Sequence, residues 1–389
     1  MAGRRADLDI DGERVPLIDG HNDTVLRCTD EDRRTETAAE AGVAPANAPD
    51  VDAAFLDGGA GGHLDLPRAL ETGLAAGLFA TFVPNAADPA FAEGSVDYAA
   101  GETPPAVGPA VAREVVFEQL AALHRWDRAS DRFRLIGDGA DLDACLEAAA
   151  AAVDADARGV VGAVPHLEGA AAIEPDLSNL DLLYAAGLRS VGLVWSRPNA
   201  FAEGVPFLHD ASPDTGPGLT DAGERLVRAC NERGMVVDCA HLNAAGFWDV
   251  LDASNDPPVV SHACAHAVCP SSRNLTNEQL RAVGDRDGVV GLTLGTGYLH
   301  PEGDRDATVG LDTVVDHVDA MVDAAGVDAV ALGSDFDGAS ITDAVGDVTG
   351  LRDLLDALRE RGYDEPEIEK VAWRNWRRVL TETLDGEGR

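Results

Sequence analysis

The chain has 389 residues, 45% of them hydrophobic, enough to build a large core and too many for global disorder. Its 30 Lys+Arg stand against 69 Asp+Glu, a formal net charge of −39, which argues against nucleic acid or an anionic membrane as a partner. The acidity runs along the whole chain, and Lys370 is the only lysine; such a dispersed acidic surface predicts adaptation to high salt, where self-repulsion is screened.

In chain order, Met1–Arg14 carries arginines but no apolar stretch, so it does not read as a signal peptide, and no later run approaches the ~18 apolar residues of a membrane span. The first short apolar run is Val15–Asp19, followed by a charged, Ala- and Gly-rich stretch from Thr24 to Gly62 that reads as a long loop. Gly77–Val83 is the second run, and Asn85 to Gly108, with Pro89, Pro104 and Pro105, the second long loop. Helical periodicity covers Val111–Trp126 and Leu142–Val153, the latter with Asp141 as its start signal. Gly159–Val164 and Ser190–Val194 are further runs, and Ala200 to Gly218 is a third loop rich in Gly and Pro. Then helices at Ala222–Glu232, Ala244–Ala253, Thr276–Val283 and Thr308–Ala325 alternate with runs at Gly234–Val237, Pro258–Val260, Gly288–Leu294 and Asp328–Leu332. Leu351–Arg361 and Pro366–Leu380 close the chain as two helices, the last offering Val371, Trp373, Trp376 and Leu380 for packing.

Most of the eight runs lack polar alternation, as strands buried on both faces do. Eight such strands alternating with helices predict an α/β fold, a (β/α)8 TIM-like barrel with long βα loops at its C-terminal face, in one domain over 1–389 with a core of about 15–380. An open doubly wound sheet is the competing arrangement. Six cysteines scattered over this length read as reduced thiols of a cytoplasmic protein rather than a disulfide scaffold.

The polar residues that end these runs carry the chemistry. The first ends Asp19-Gly20-His21-Asn22-Asp23, with His21 and Asp23 two apart and therefore on one side of a strand. The third ends His166-Leu167-Glu168, the fifth Asp238-Cys239-Ala240-His241, the sixth Ser261-His262, and the eighth Ser334-Asp335-Phe336-Asp337. A barrel aims these ends at one axis. Three imidazoles and two or three carboxylates at one centre suffice for two divalent metals bridged by a carboxylate and a hydroxide, whose pKa the metals lower toward about 7. A carboxylate that is not a ligand can relay protons to the leaving group. Lys370 lies in the last helix, far from any strand end, so a carboxylated-lysine bridge is excluded and Glu168 becomes the candidate bridge.

These residues resemble the membrane dipeptidase (renal dipeptidase-like) family of zinc metallopeptidases, a branch of the metal-dependent hydrolase barrels. Asp19-Gly20-His21-Asn22-Asp23, His63-Leu64-Asp65-Leu66-Pro67-Arg68, Glu168-Gly169, Asp238-Cys239-Ala240-His241, Ser261-His262-Ala263, Ser272-Arg273-Asn274-Leu275-Thr276 and Gly333-Ser334-Asp335-Phe336-Asp337-Gly338 run in the family's order. The resemblance implies two Zn2+ per chain, with Mn2+ or Co2+ also suited to such ligands. His21 and Asp23 would bind the first ion, His241 and His262 the second, and Glu168 both. Asp335 would protonate the leaving amine, Arg273 would hold the substrate's terminal carboxylate, and Trp195 and Tyr298 would contact the substrate. It further implies dipeptide hydrolysis, often with a D-residue second, and a homodimer.

The chain departs from the family in carrying Trp195 where many members have a His that polarises the scissile carbonyl, which leaves that job to zinc or to Arg197. Hydrolysis of another small amide, including a β-lactam, and a non-catalytic metal-containing binding protein are the competing functions. His63 and Asp65 read as structural, with Leu66-Pro67-Arg68 opening a helix; His166 reads as lining the pocket near Glu168, and Asp337 as ordering the eighth loop.

Overall fold

In the computed structural model, residues 14–44, 49–59, 61–88, 91, 94–152 and 159–386 are described. The signal-peptide expectation for the N-terminus, Pro45, Pro89 and the predicted helix end at Val153 fall outside them. Nine strands form one parallel sheet: β1 (Leu17–Asn22), β2 (Leu74–Phe82), β3 (Phe133–Leu135), β4 (Val161–Glu168), β5 (Ser190–Gly192), β6 (Val236–Asp238), β7 (Val259–Ala263), β8 (Val289–Leu292) and β9 (Val330–Leu332). Their order is β1-β2-β4-β5-β6-β7-β8-β9, with β3 paired to β4 off that path. The ring closes just beyond the strand ends, where Asp335 N–H donates to His21 O at 3.0 Å and Asp23 N–H to Phe336 O at 2.7 Å. All eight apolar runs are strands of this (β/α)8 barrel. The additional β3 is three residues long with an exposed Arg134 at its centre, so it has no apolar run to betray it.

The stretch from Thr24 to Gly62, expected to be a loop, instead folds into α1 (Thr24–Thr29), α2 (Glu31–Glu40) and α3 (Val51–Leu56). Asp30 and Asp50 cap α2 and α3 by accepting from Arg33 N and Ala53 N, and the Ala and Glu between them favour helix. Asp65 caps α4 (Leu66–Thr72) in the same way, as the structural reading of that segment requires. The remaining crossovers are α5 (Pro109–Ala129), α6 (Gly139–Ala151), α7 (Leu180–Ala185), α8 (Asp221–Asn231), α9 (Ala244–Ala253), α10 (Asn277–Gly284), α11 (Thr296–Leu299) and α12 (Leu311–Ala325). The start of α6 is capped by Asp138 rather than Asp141, which supplies the N–H that Asp138 accepts. Thr276 and Gln279 form a reciprocal capping box on α10.

The chain ends in α13 (Leu351–Arg361), α14 (Glu365–Glu369), a π-turn at Lys370–Arg374 and α15 (Asn375–Leu384). The last helix packs on β1, β6, β8 and β9 and so covers the floor of the barrel. Its Trp376 is fully buried, and the indole N–H donates to Leu332 O at 2.7 Å. The fit depends on Gly20, whose Cβ would stand 2.3 Å from the Trp376 ring. With the floor closed by apolar side chains, the polar strand ends are left at the opposite, C-terminal face. No described helix is long and apolar enough to cross a membrane.

Candidate active site

Five strand ends deliver the polar cluster. His21 is the fifth residue of β1, and Asp23 follows that strand; Glu168 is the last residue of β4, and His262 lies in β7. His241 follows β6 and Asp335 follows β9, both at φ +64°, a left-handed backbone that costs a non-glycine residue free energy and recurs at functional sites. All six side chains are buried, 8% exposed at most. His21 Nε2 lies 3.8 Å from Glu168 Oε2 and 3.7 Å from Asp23 Oδ2. His241 Nε2 is 3.0 Å and His262 Nε2 3.8 Å from Glu168 Oε1, and the two Nε2 atoms are 3.1 Å apart. Ligand-type atoms of His21, Glu168 and His262 lie within 4.8 Å of one another, as do those of His21, Asp23 and Asp335.

A second layer orients these rings. Asp238, a carboxylate, can only accept, and takes Ser261 O–H at 2.6 Å. Ser261 Oγ, its proton spent there, is left to accept from His262 Nδ1 at 2.8 Å. His262 Nε2 therefore turns a lone pair toward Glu168. Ser196 Oγ lies 2.9 Å from His241 Nδ1. Ser334 donates its N–H and O–H to the two oxygens of Asp19, pinning β9 to β1 beneath His21 and Asp335.

The electrostatics are those of a buried acid cluster. Burial, with Asp23 nearby, pushes Asp335 up to about 7 and holds Glu168 well above the usual carboxylate range. Burial acts to lower His21, but Glu168, Asp23 and Asp335 outweigh it and push the imidazole up to about 10. Burial, with Arg273 and His21, drives His241 and His262 well below the usual histidine value. Both ring nitrogens of His21 and Oδ1 of Asp23 are buried without any hydrogen-bond partner. Buried polar atoms rarely go unpaired. Unpartnered ring nitrogen and carboxylate oxygen atoms, set where negative charge is crowded, fit a divalent cation, which would take the place of the imidazole proton.

The cluster floors a cavity of about 340 Å3. One wall is aromatic: Trp195 lies 5.2 Å from Phe82 and 5.3 Å from Phe207, with Tyr98 and Tyr298 completing the lining. Asp23, Glu168, His241, Asp335, Trp195 and Tyr298 all line it. Arg273 stands behind the histidine pair, with Nε directed to His241 Nδ1 at 3.1 Å and Nη2 donating to His262 O at 3.0 Å. Arg197 is buried and gives both its Nη groups to Val83 O and Asn85 Oδ1, behind the Phe82 and Trp195 rings that line the cavity. His166 does not line the pocket either. It lies inside the barrel below His21, its Nδ1 on Ser190 Oγ at 2.8 Å, and burial lowers it to about 4.

Asp337 organises the eighth loop rather than the cavity. It accepts from Thr24 Oγ1 at 2.8 Å and His63 N–H at 2.7 Å, and lies 3.0 Å from the buried Arg27 Nε. Phe207, Arg33 and Arg305 also line the cavity and carry no sequence signal. Phe207 and Arg305 lie in irregular loops and Arg33 in α2, soon after the end of β1, so only their position after a barrel strand could have pointed to them.

Residues 12–386 match the sequence profile of a family described as membrane dipeptidase (peptidase family M19). A Klebsiella pneumoniae protein described by its place in the pqqA 5′ region is 42% identical over 268 residues, 69% of this chain and 95% of its own. The solved structure of the metallopeptidase dipeptidase AC shares 40% identity with a TM-score of 0.82, over 96% of this chain and 99% of that one. A Rhodobacter sphaeroides metallopeptidase, solved with a phosphinate mimic of the dipeptide L-Ala-D-Ala, shares 39% with a TM-score of 0.82, over 95% and 99%.

Proposed function

The chain belongs to the membrane dipeptidase family of metallopeptidases, and from that premise we propose that it hydrolyses the peptide bond of dipeptides with two divalent ions, zinc in the first instance. The observation that carries this reading is the set of unpartnered polar atoms, both ring nitrogens of His21 and Oδ1 of Asp23, set in a buried cluster where carboxylates crowd together. His21 and Asp23 would hold one ion, His241 and His262 the other, with Glu168 between them. The ions would supply Lewis acidity toward the scissile carbonyl and a water activated toward hydroxide at neutral pH.

The remaining roles fall to the chain's own groups. Ser261 and Ser196 fix the ring orientations of His262 and His241. Asp335, across the cluster from the histidine pair, takes a proton from the attacking water on a carboxylate oxygen. It returns that proton to the departing amine as the C–N bond breaks. A buried carboxyl set beside the cluster suits both transfers. Arg273 keeps Nη1 free of hydrogen bonds among the described residues and, with Tyr298, would receive the substrate's terminal carboxylate. The aromatic wall around Trp195 would exclude water and take up apolar side-chain surface.

The test is hydrolysis of a panel of L,L- and L,D-dipeptides by zinc-loaded and chelator-stripped protein, with C-terminally amidated controls. Cleavage confined to loaded protein and free-carboxylate dipeptides, and reduced 10²-fold or more in Asp335→Asn, is the expected result. Full activity of that variant would remove Asp335 from its assigned role. Inertness of the loaded enzyme toward every dipeptide would overturn the reading.

A further inference from the structure

In a chain with 69 acidic residues and 30 basic ones, many arginine side chains pair with a carboxylate. Arg113 takes Glu174, Arg233 takes Asp181 and Arg377 takes Asp143. Arg33 and Arg305 make no ion pair or side-chain hydrogen bond among the described residues, as is also true of Arg128 and Arg281, but Arg33 and Arg305 line the active-site cavity. Arg305 is flanked in sequence by Asp304 and Asp306, yet pairs with neither. Its guanidinium carbon lies 5.5 Å from the centre of the Phe207 ring. Its stem lies against Gly297, where a Cβ would stand 2.6 Å from Arg305 Cγ. The ring and the glycine hold the cation inward over the cavity.

A cation kept unpaired amid surplus carboxylates is matched to a carboxylate that arrives with the ligand. The long-range field of a chain at −39 repels an anionic substrate, so its binding requires local positive charge at the point of contact. Arg305 stands beside Tyr298, the residue proposed to meet the substrate's terminal carboxylate, so the side chain of the C-terminal residue falls before it. We infer that the enzyme prefers dipeptides whose C-terminal residue carries an acidic side chain, with Arg305 binding that side-chain carboxylate. Arg33, from another wall of the cavity, adds its charge. The inference rests on the dipeptidase reading and narrows it to a substrate class.

The experiment compares kcat/KM of the zinc-loaded enzyme for Ala-Asp, Ala-Glu, their uncharged isosteres Ala-Asn and Ala-Gln, and the reversed Asp-Ala, with both L- and D-residues second. A charge-assisted hydrogen bond predicts a preference of about tenfold or more for Ala-Asp over Ala-Asn. The Ala-Asp/Ala-Asn ratio should collapse toward unity in R305Q, fall less in R33Q, and shrink as KCl is raised. Equal rates in the wild type, a ratio unmoved by R305Q, or a preference for Asp-Ala over Ala-Asp would each overturn the inference. So would an equal loss on acidic and neutral dipeptides in R305Q, which would assign Arg305 to the terminal carboxylate. Cleavage of Ala-Asn with no acidic preference defeats this inference alone; cleavage of no dipeptide defeats the dipeptidase reading and this one with it.

Discussion

Gly338→Ala isolates the geometry of the cluster from the stability of the fold. Gly338 sits at the rim of the cavity, and its φ is not positive, so alanine fits its backbone. The added Cβ, however, would stand 2.1 Å from Asp23 Oδ2 and 2.5 Å from Asp335 Oδ1. An ordinary C···O contact is about 3.3 Å, so the Asp23 carboxylate must retreat by on the order of 1 Å. Asp23 would lose its place beside His21, and Asp335 would turn from the reacting centre. Misplacement on that scale costs roughly 10²-fold in rate. The expected outcome is a loss of that size or more in kcat/KM, with weaker retention of one metal ion. Thermal unfolding of the ion-free protein should be nearly unchanged, because Gly338 is exposed and the methyl meets only the ends of two side chains. Kinetics on a cleaved dipeptide, metal content per chain and a thermal melt decide the matter together. A G338A protein with kcat/KM within about threefold of wild type and its full metal content would refute the placement of both carboxylates.

Three further outcomes are expected. Asp337→Asn leaves the buried Arg27 without its partner and should cost about 3–5 kcal/mol in denaturant unfolding at pH 7. Burial works against the charged form of Asp337, yet Arg27 and His63 hold its carboxyl below the usual range, so this stability exists above the unfolded pKa. The gap between wild type and D337N should therefore narrow below about pH 4, and a gap independent of pH would contradict the pairing. Because neighbouring carboxylates keep a proton on His21 up to about 10 in the ion-free site, binding a divalent ion must displace it. Zinc affinity, measured by chelator competition between about pH 6 and 8, should rise by at least about tenfold per pH unit, and a flat profile would argue against His21 as a ligand. All six cysteines are buried, and burial pushes the Cys28 and Cys230 thiols up to about 12. A disulfide reagent at neutral pH should thus titrate none of the six in the native protein and all of them after denaturation; one fast-reacting native thiol would contradict their burial.

The parts of the fold legible in the sequence were those where local chemistry and tertiary environment agree. Runs such as Gly288–Leu294 are apolar because a barrel strand is covered on both faces, and they announce it. Helices α9 and α13 run over the residues their periodicity predicted, because each buries one apolar stripe. The stretch from Thr24 to Gly62 gives no helical signal because its helices are short and charged: α2 buries only Ala38, so its helical state rests on Asp30 capping and propensity rather than on an apolar stripe. The last helix runs on to Leu384, past the predicted end at Leu380, through a π-turn that no periodicity of 3.6 would register.

What the sequence by itself determined is which residues can meet. A strand fixes the side on which His21 projects, strand order fixes which ends converge, and so the sequence alone directs the polar residues at five strand ends to one centre. What only the tertiary structure decided is what those residues face. Trp195, Arg197 and His166 all sit at or near strand ends and look alike in the sequence. The fold turns Trp195 into the cavity, locks Arg197 onto Val83 and Asn85, and sinks His166 below His21. Arg305 looked like any loop arginine, and only its seat over Phe207 makes it part of the site. The physical reason is one of range: strand and helix periodicity are set by backbone geometry a few residues long, whereas a loop side chain's partners lie on other segments of the chain and exist only once the barrel has closed.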